Sequence, residues 1–334
     1  MYLKKSFIII LIICIGMLGM YKLDVIYNNL SKVRAGIVHI VYPDDSVDIA
    51  TFMKEKRCNI ESLPVLKDEA NAWYTRYRFI AHAGGGYEGR IYTNCLDAWE
   101  YSYERGNRVF DADLSFTVDD KLVLRHSWAD NIETGSTSMK NSEFKVDMNG
   151  CIQYRMPKEE MTYDEFMGRK IFYKYRPMDC EDMIQFMYDH DDLYIACDMK
   201  GTDIIKGYQY LVDAAKSTDR EEILDRIIVN VYDYEVYSQI MNIYSFKNAV
   251  ARQHFVSPNN YYELLEFCVT NDIHVVNVSA CFMEDDEIQM LKSKGIHIYV
   301  AIADYISDMQ FYHEYGADGA VTNWLYESDW NYIK

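Results

Sequence analysis

The sequence predicts an α/β protein built as a (β/α)8 TIM barrel, and three observations predict it. Strand-like and helix-like segments alternate along most of the 334 residues with short loops between them, which requires parallel strands and crossover helices. Roughly 250 residues and about eight such strands follow the N-terminal region, the size of one barrel. Titratable residues gather near the C-terminal ends of several strands, where a barrel opens its mouth. An open doubly wound sheet is the alternative, but no GxGxxG follows a strand in the context that fold needs.

The elements follow in order. "MYLKKSFIIILIICIGMLGMYK" places Lys4 and Lys5 ahead of an almost unbroken apolar run from Phe7 to Met20. Residues 1–24 read as a transmembrane signal-anchor helix or a signal peptide. The run is shorter than the roughly 20 residues of a comfortable span, yet no small-x-small cleavage site follows it, which favours the uncleaved anchor. The leading charges keep the N-terminus inside. The expectation is a single-pass cell-membrane protein, bound to the membrane through its N-terminal helix, with its body extracytoplasmic, or a secreted one if the signal is cleaved. Residues 25–75 have no strong period and read as a juxtamembrane stalk with a packing extension; the barrel then occupies 76–334.

Within the barrel, "RYRFIAHAGGG" is a strand running into a glycine loop. "TNCLDAWEYSYERG" is a helix with Leu96, Trp99 and Tyr103 on one face and Gly106 closing it. "RVFDADLSFTVDDKLVLRHSW" is a hairpin whose first arm is a strand over 108–117. Residues 130–158 form a small, polar, irregular insertion after this second strand, of the kind that makes a lid or rim. The later strands are "DLYIACDMKG", "RIIVNVYD", "IHVVNVSA", "IHIYVAIAD" and "DGAVTN". Between them stand the helices "DIIKGYQYLVDAAKS", "YEVYSQIMNIY", "NNYYELLEFCVTND", "EDDEIQMLKSKG" and "ISDMQFYHEYG".

Bulk numbers exclude some functions. A hydrophobic content of 49% supplies a real core, so the chain is not disordered. The net charge of -18, with no long basic run, argues against a nucleic-acid partner. The scattered cysteines contain no CxxC, and Cys95 and Cys197 fall at positions that look buried, so no disulfide framework is expected. His297 starts a strand away from the predicted mouth and reads as structural.

Strand alternation then locates a site. Phe110, Ala112, Leu114 and Phe116 share one face of the hairpin's first arm, while Val109, Asp111, Asp113 and Ser115 share the other. Taken alone, the two acids fit the exposed face of an edge hairpin equally well. Elsewhere, however, Ile80 and His82 share a face, Tyr194, Ala196, Asp198 and Lys200 share another, and the hairpin returns with His126. Such a set in one cavity is costly if unpaired, and a hard cation held by Asp111, Asp113 and Asp198 resolves the cost. All-oxygen ligation points to a divalent cation, Mg2+ or Ca2+. His82 and His126 have the ordinary pKa for general acid and base work near neutrality.

The stretches "IAHAGGG", "TNCLDAWEYSYERGNRVFDADLSFTVDDKLVLRHSW", "YIACDMK" and "YGADGAVTNWL" together resemble the glycerophosphodiester phosphodiesterase family over roughly Arg78 to Leu325. The resemblance implies that His82 and His126 are the two catalytic histidines. It also implies an acid-x-acid metal pair in Asp111 and Asp113, a third ligand in Asp198, and substrate contacts from Lys200 and Asn94. The chain departs from the family pattern at Ala83, where an arginine is usual, and at Thr93, where a glutamate is usual. Asp111 and Asp198 stand where the family has glutamates, and Ser127 follows the second histidine in place of an aspartate. Arg125 and Arg90 are the candidates to supply the missing guanidinium.

The implied function is metal-dependent hydrolysis of a small-molecule glycerophosphodiester to glycerol phosphate and an alcohol. The rival from another class is a catalytically degenerate barrel that binds a phosphorylated polyol or glycan at the cell surface, motivated by Ala83 and Thr93. A phospholipase-like cut of an intact lipid is the third reading.

Overall fold

Eight strands of alternating character close into a cylinder in the computed structural model, which describes residues 60–333 apart from 130, 134–142, 147–151, 156–159, 202, 253–260 and 280–284. The strands are β1 (Phe79–Ala81), β2 (Val109–Phe116), β3 (Leu122–Leu124), β4 (Glu143–Val146), β5 (Ile152–Arg155), β6 (Tyr194–Met199), β7 (Ile227–Val231), β8 (Asn248–Arg252), β9 (Val275–Ser279), β10 (His297–Ala301) and β11 (Gly319–Thr322). The parallel barrel runs β1-β2-β6-β7-β8-β9-β10-β11. It closes where β11 pairs with β1, Phe79 against Ala320 and Ala81 against Thr322. Closure leaves the cylinder without an unpaired edge.

Because β1 is only three residues long, the far end of β2 extends past it and pairs there with antiparallel β3, Leu114 opposite Leu124. One stretch is thus both a barrel strand and a hairpin arm. The insertion at 130–158 carries a two-stranded antiparallel ribbon, β4 with β5, where the sequence suggests irregular chain. Its remaining residues are largely outside the described ones.

Two apolar layers hold the cylinder. The outer one lies between sheet and helices, where Phe110 meets Trp99 of α2 (Leu96–Glu104) edge-on at 5.3 Å, with the short helix α1 (Trp73–Arg76) lying elsewhere, at the barrel's N-terminal end. Phe110, Ala112 and Leu114 are buried in this layer, so the faces of β2 are oriented as alternation requires. Burying one such phenylalanine contributes about 1.5–3 kcal/mol. The inner layer is a floor of one residue per strand: Ile80, Val109, Ala196, Ile228, Val250, Val275, Tyr299 and Val321. Beneath it α1 seals the end, with Trp73 packed on Tyr299 at 5.5 Å and the Tyr299 hydroxyl donating to Tyr77 O at 2.6 Å.

Residues upstream of α1 join the same end. Leu66 N donates to Lys294 O at 2.9 Å, and Lys294 Nζ donates to Leu63 O at 2.8 Å. The described part of the segment read as a stalk therefore lies against the barrel. The signal-anchor at 1–24 and the rest of that segment lie outside the described residues. Among the described residues no helix is long and apolar enough to cross a membrane. Cys95, Cys180, Cys197 and Cys268 are buried free thiols.

The strand absent from the sequence reading is β8. Its outward residues are Ala249 and Ala251, and its inward ones are Asn248, Val250 and Arg252, so it lacks the run of large apolar side chains that marks its neighbours. The interval between two crossover helices was its only signal, since two such helices in succession need a strand between them.

Candidate active site

Two residues beyond the apolar floor, the barrel interior turns polar. On or just past seven of the eight strands the side chain at that step is His82, Asp111, Asp198, Asn230, Arg252, Asn277 or Asn323; only Ala301 on β10 breaks the set. These positions lie toward the C-terminal ends of the strands, the face on which barrel chemistry is built.

Asp111, Asp113 and Asp198 each direct a carboxylate oxygen to one place, the three oxygens lying within 4.8 Å of one another. Lys200 sits between two of them, its Nζ 2.8 Å from Asp113 Oδ1 and 2.5 Å from Asp198 Oδ2. Asn94 grips Asp113 from both ends of its amide: Nδ2 donates to Asp113 Oδ2 at 2.8 Å, and Oδ1 accepts from Asp113 N at 3.2 Å. The Tyr232 hydroxyl donates to Asp198 Oδ1 at 2.6 Å. Arg252 Nη2 stands 3.5 Å from Asp111 Oδ1.

Three carboxylates against two cations leave one negative charge in a buried space. Burial, reinforced by Asp198 and Asp113 and opposed by Arg252, pushes the Asp111 carboxyl up to about 7. Burial works the same way on Asp198, but Lys200 and Arg252 outweigh it and hold that carboxyl below its ordinary range. Asp111 Oδ1 is buried yet accepts no hydrogen bond among the described residues, whereas Asp113 Oδ1 is met by Lys200 Nζ. An unsatisfied carboxylate oxygen in an acid cluster is what a hard cation would occupy, so the donor set fits Mg2+ or Ca2+.

His82 begins the turn after β1, and the glycines behind it fix its place. Ala83 and Gly84 have φ of +51° and +82°, and a Cβ on Gly84 would lie 2.0 Å from Trp99 Cδ1. The turn is also tied to the last strand, since Gly86 N donates to Asn323 O at 2.6 Å. His82 Nδ1 lies 3.0 Å from Asn323 Oδ1. Asn323 turns its oxygen that way because its amide nitrogen donates to both oxygens of Asp304, at 3.2 and 2.9 Å. Nδ1 of His82 therefore carries a proton, and Nε2 is the nitrogen left to take one. Burial lowers the pKa of His82 against the pull of Asp113, which keeps the ring neutral at pH 7.

His126 stands just past β3. Its ring lies 4.9 Å from that of Tyr92, whose other neighbour is His82 at 4.4 Å, so Tyr92 is wedged between the two histidines. Arg125 reaches the site through its backbone, N donating to Asp113 O at 2.8 Å. Arg90 does not reach it: this side chain is exposed and stacks on Phe172 at 4.7 Å. Tyr92, Tyr232, Arg252, Asn277, Asn323 and Asp304 join the site without a clear signal in the sequence. The first four are uncharged or sit on a weak strand, and the Asn323–Asp304 pair shows its role only once β10 and β11 are neighbours.

The fold is shared by solved structures of low identity. A protein of Galdieria sulphuraria assigned as a glycerophosphodiester phosphodiesterase superposes with a TM-score of 0.60 at 13% identity, covering 77% of this chain and 97% of that one. A glycerophosphodiester phosphodiesterase of Parabacteroides distasonis gives 0.56 at 15%, covering 77% and 96%. A phosphodiesterase of Oleispira antarctica, solved with its product sn-glycerol-3-phosphate, gives 0.57 at 12%, covering 75% and 95%. No curated protein matches the chain. The family model for glycerophosphoryl diester phosphodiesterases matches residues 83–325, which span β2 to β11 and every acidic and basic residue of the site except His82. With that match over most of its length, the chain belongs to the glycerophosphoryl diester phosphodiesterase family.

Proposed function

We propose that this phosphodiesterase hydrolyses glycerophosphodiesters to glycerol phosphate and an alcohol, with Asp111, Asp113 and Asp198 holding a divalent cation, Mg2+ or Ca2+. The observation that carries the reading is the convergence of three carboxylates beside a histidine whose proton-accepting nitrogen is set by Asn323 and Asp304. When bound, the cation supplies positive charge beside the phosphoryl oxygens.

His82, neutral and with Nε2 unprotonated, takes the proton from the attacking oxygen as it bonds to phosphorus. His126 gives a proton to the departing alkoxide as the other P–O bond breaks. The same two transfers apply to attack by water and to attack by a substrate hydroxyl, where water must then open the cyclic phosphate by a second pair of transfers, and each such step contributes about 10²- to 10⁴-fold. Lys200 stays charged against the pull of burial because Asp113 and Asp198 flank it, so its ammonium is available to a phosphate oxygen. Asn94 and the backbone of Arg125 position Asp113, and any direct contact of either side chain with substrate belongs to the same proposal.

The site faces the outside of the cell membrane in this reading, on the strength of Lys4, Lys5 and the apolar run from Phe7 to Met20. A panel of glycerophosphodiesters, assayed with and without chelator, tests the activity. Chelator-sensitive release of glycerol phosphate is expected, and it should disappear in His82→Ala and His126→Ala. Full hydrolysis by both variants would overturn the roles given to the histidines. Tight ligand binding without product release would favour the surface-binding barrel instead, a reading supported by the buried Ala83 where the family resemblance expects a guanidinium.

A further inference from the structure

We propose that Arg252, with Asn277 beside it, is the anion-binding arm of this site, placed to take a non-bridging oxygen of a phosphodiester monoanion. The inference rests on the phosphodiesterase reading and names which side chains select the charge of its substrate.

Arg252 is the last residue of β8 and only 6% exposed. Among the described residues its hydrogen bond is through Nε, which donates to Asn230 Oδ1 at 2.9 Å. Its approach to Asp111 is not a docked pair. A guanidinium clamped on a carboxylate makes two parallel bonds near 2.8 Å, whereas here one Nη stands 3.5 Å from an oxygen that accepts no hydrogen bond. Asn230 thus aims the fork, and the far side of the fork is not taken up by Asp111.

Asn277 is the independent observation. It pairs in register with Arg252 across β8 and β9 and shares the inward face of β9 with the floor residue Val275. It is 0% exposed, and neither its amide nitrogen nor its amide oxygen has a partner among the described residues. Leaving a buried polar group unsatisfied is costly. A group that both accepts and donates, such as a phosphate oxygen next to a polyol hydroxyl, would satisfy both atoms.

Charge decides the class of anion. With its three carboxylates ionised, as ligands to a cation must be, the acid cluster with Lys200 and Arg252 carries one net negative charge, a divalent cation turns this into one positive charge, and a phosphodiester monoanion cancels it. A phosphate monoester dianion overfills the site by one charge, so the arm favours substrate over product.

The test uses the whole protein and titrates first the cation alone, then inorganic phosphate and glycerophosphocholine on the cation-loaded form, by calorimetry. Arg252→Gln is expected to bind the cation no more weakly than the wild type, since a positive charge beside Asp111 is lost, but to bind phosphate about 10- to 100-fold more weakly, the size of one charged hydrogen bond. The KM for the diester should rise by the same factor with a smaller change in kcat. Arg252→Lys should recover only part of the loss, because an ammonium cannot fork. Asn277→Asp, nearly the same size, should weaken phosphate binding by placing a negative charge beside the guanidinium, and it guards against a fold defect in the Arg252 variants. Unchanged phosphate affinity in Arg252→Gln, or loss of cation and phosphate binding together in all three variants, would overturn the proposal. If the wild type binds phosphate through Arg252 yet hydrolyses no diester, the activity reading fails and the arm stands. If it hydrolyses diesters and Arg252→Gln keeps its KM, the arm fails and the activity stands.

Discussion

Two pairs of histidines sit at opposite ends of this barrel, and each pair flanks a tyrosine. At the mouth, His82 and His126 flank Tyr92 at 4.4 and 4.9 Å. At the sealed end, His274 and His297 flank Tyr74 at 5.1 and 5.0 Å. The rings alone do not distinguish a catalytic pair from a structural one. What lies beyond the rings does. His274 and His297 each contact an aspartate at their own end, Asp272 at 3.1 Å and Asp68 at 2.8 Å. His82 is held instead by a neutral amide, and its other nitrogen is left to the acid cluster. In the proposed reaction this leaves Nε2 of a neutral ring to take a proton.

Asp113→Asn should be the most severe change, removing a proposed ligand and the anchor for Lys200 and Asn94 together. Activity is expected to fall at least about 10³-fold, the size of losing a preorganised electrostatic contact, and the affinity for Ca2+ should fall with it in a calorimetric titration. His82→Ala should cost about 10²- to 10⁴-fold in kcat, while His297→Ala should leave kcat/KM within about two-fold because an exposed pair contributes roughly 0–1 kcal/mol to stability alone. Equal losses in the two variants would erase the distinction between the ends.

Asn323→Leu comes next, at about 10- to 100-fold, the range for partners that orient a reacting side chain. It carries a signature in pH. The bond from Nδ1 to Asn323 favours the charged ring, and burial already lowers the pKa of His82. The acid limb of kcat/KM in the wild type should therefore lie below pH 6.5, and it should move to still lower pH in the variant. A shift toward higher pH would contradict the assignment of the proton to Nδ1. The smallest effect concerns the thiols. Burial raises the pKa of Cys95, Cys180, Cys197 and Cys268. Their alkylation at pH 8, followed by mass spectrometry, should proceed only as fast as the protein unfolds.

Much of the site is legible in the sequence because charge interrupts an otherwise apolar strand. Asp111 and Asp113 alternate with Phe110, Ala112 and Leu114, so one face is core, and the other titratable strand ends are what turn the acids to the axis instead of to an exposed face. Asp198 and Lys200 repeat the pattern on β6. The same logic misses Arg252 because the opposite face of β8 is alanine, which gives alternation nothing to contrast. It misses Asn323 for a different reason: its partner His82 is 241 residues away in the chain, and only closure of β11 onto β1 makes the bond. Tyr92 lies in a loop and has no period to be read. The polar insertion hides a ribbon, β4 with β5, because two short strands of four residues each leave little apolar signal.

The plug of Trp73 under Tyr299 has a kinetic meaning. A cylinder stopped at one end is a vessel with a single door, and whatever enters must depart against the traffic of what arrives. In the proposed reaction, a glycerol phosphate bound nearest the floor would leave after the alcohol, so release would be ordered. The retained product competes with the next diester for the same opening. Competitive inhibition by glycerol phosphate, with the alcohol inhibiting only at high concentration, is the kinetic pattern that such a closed-ended chamber imposes.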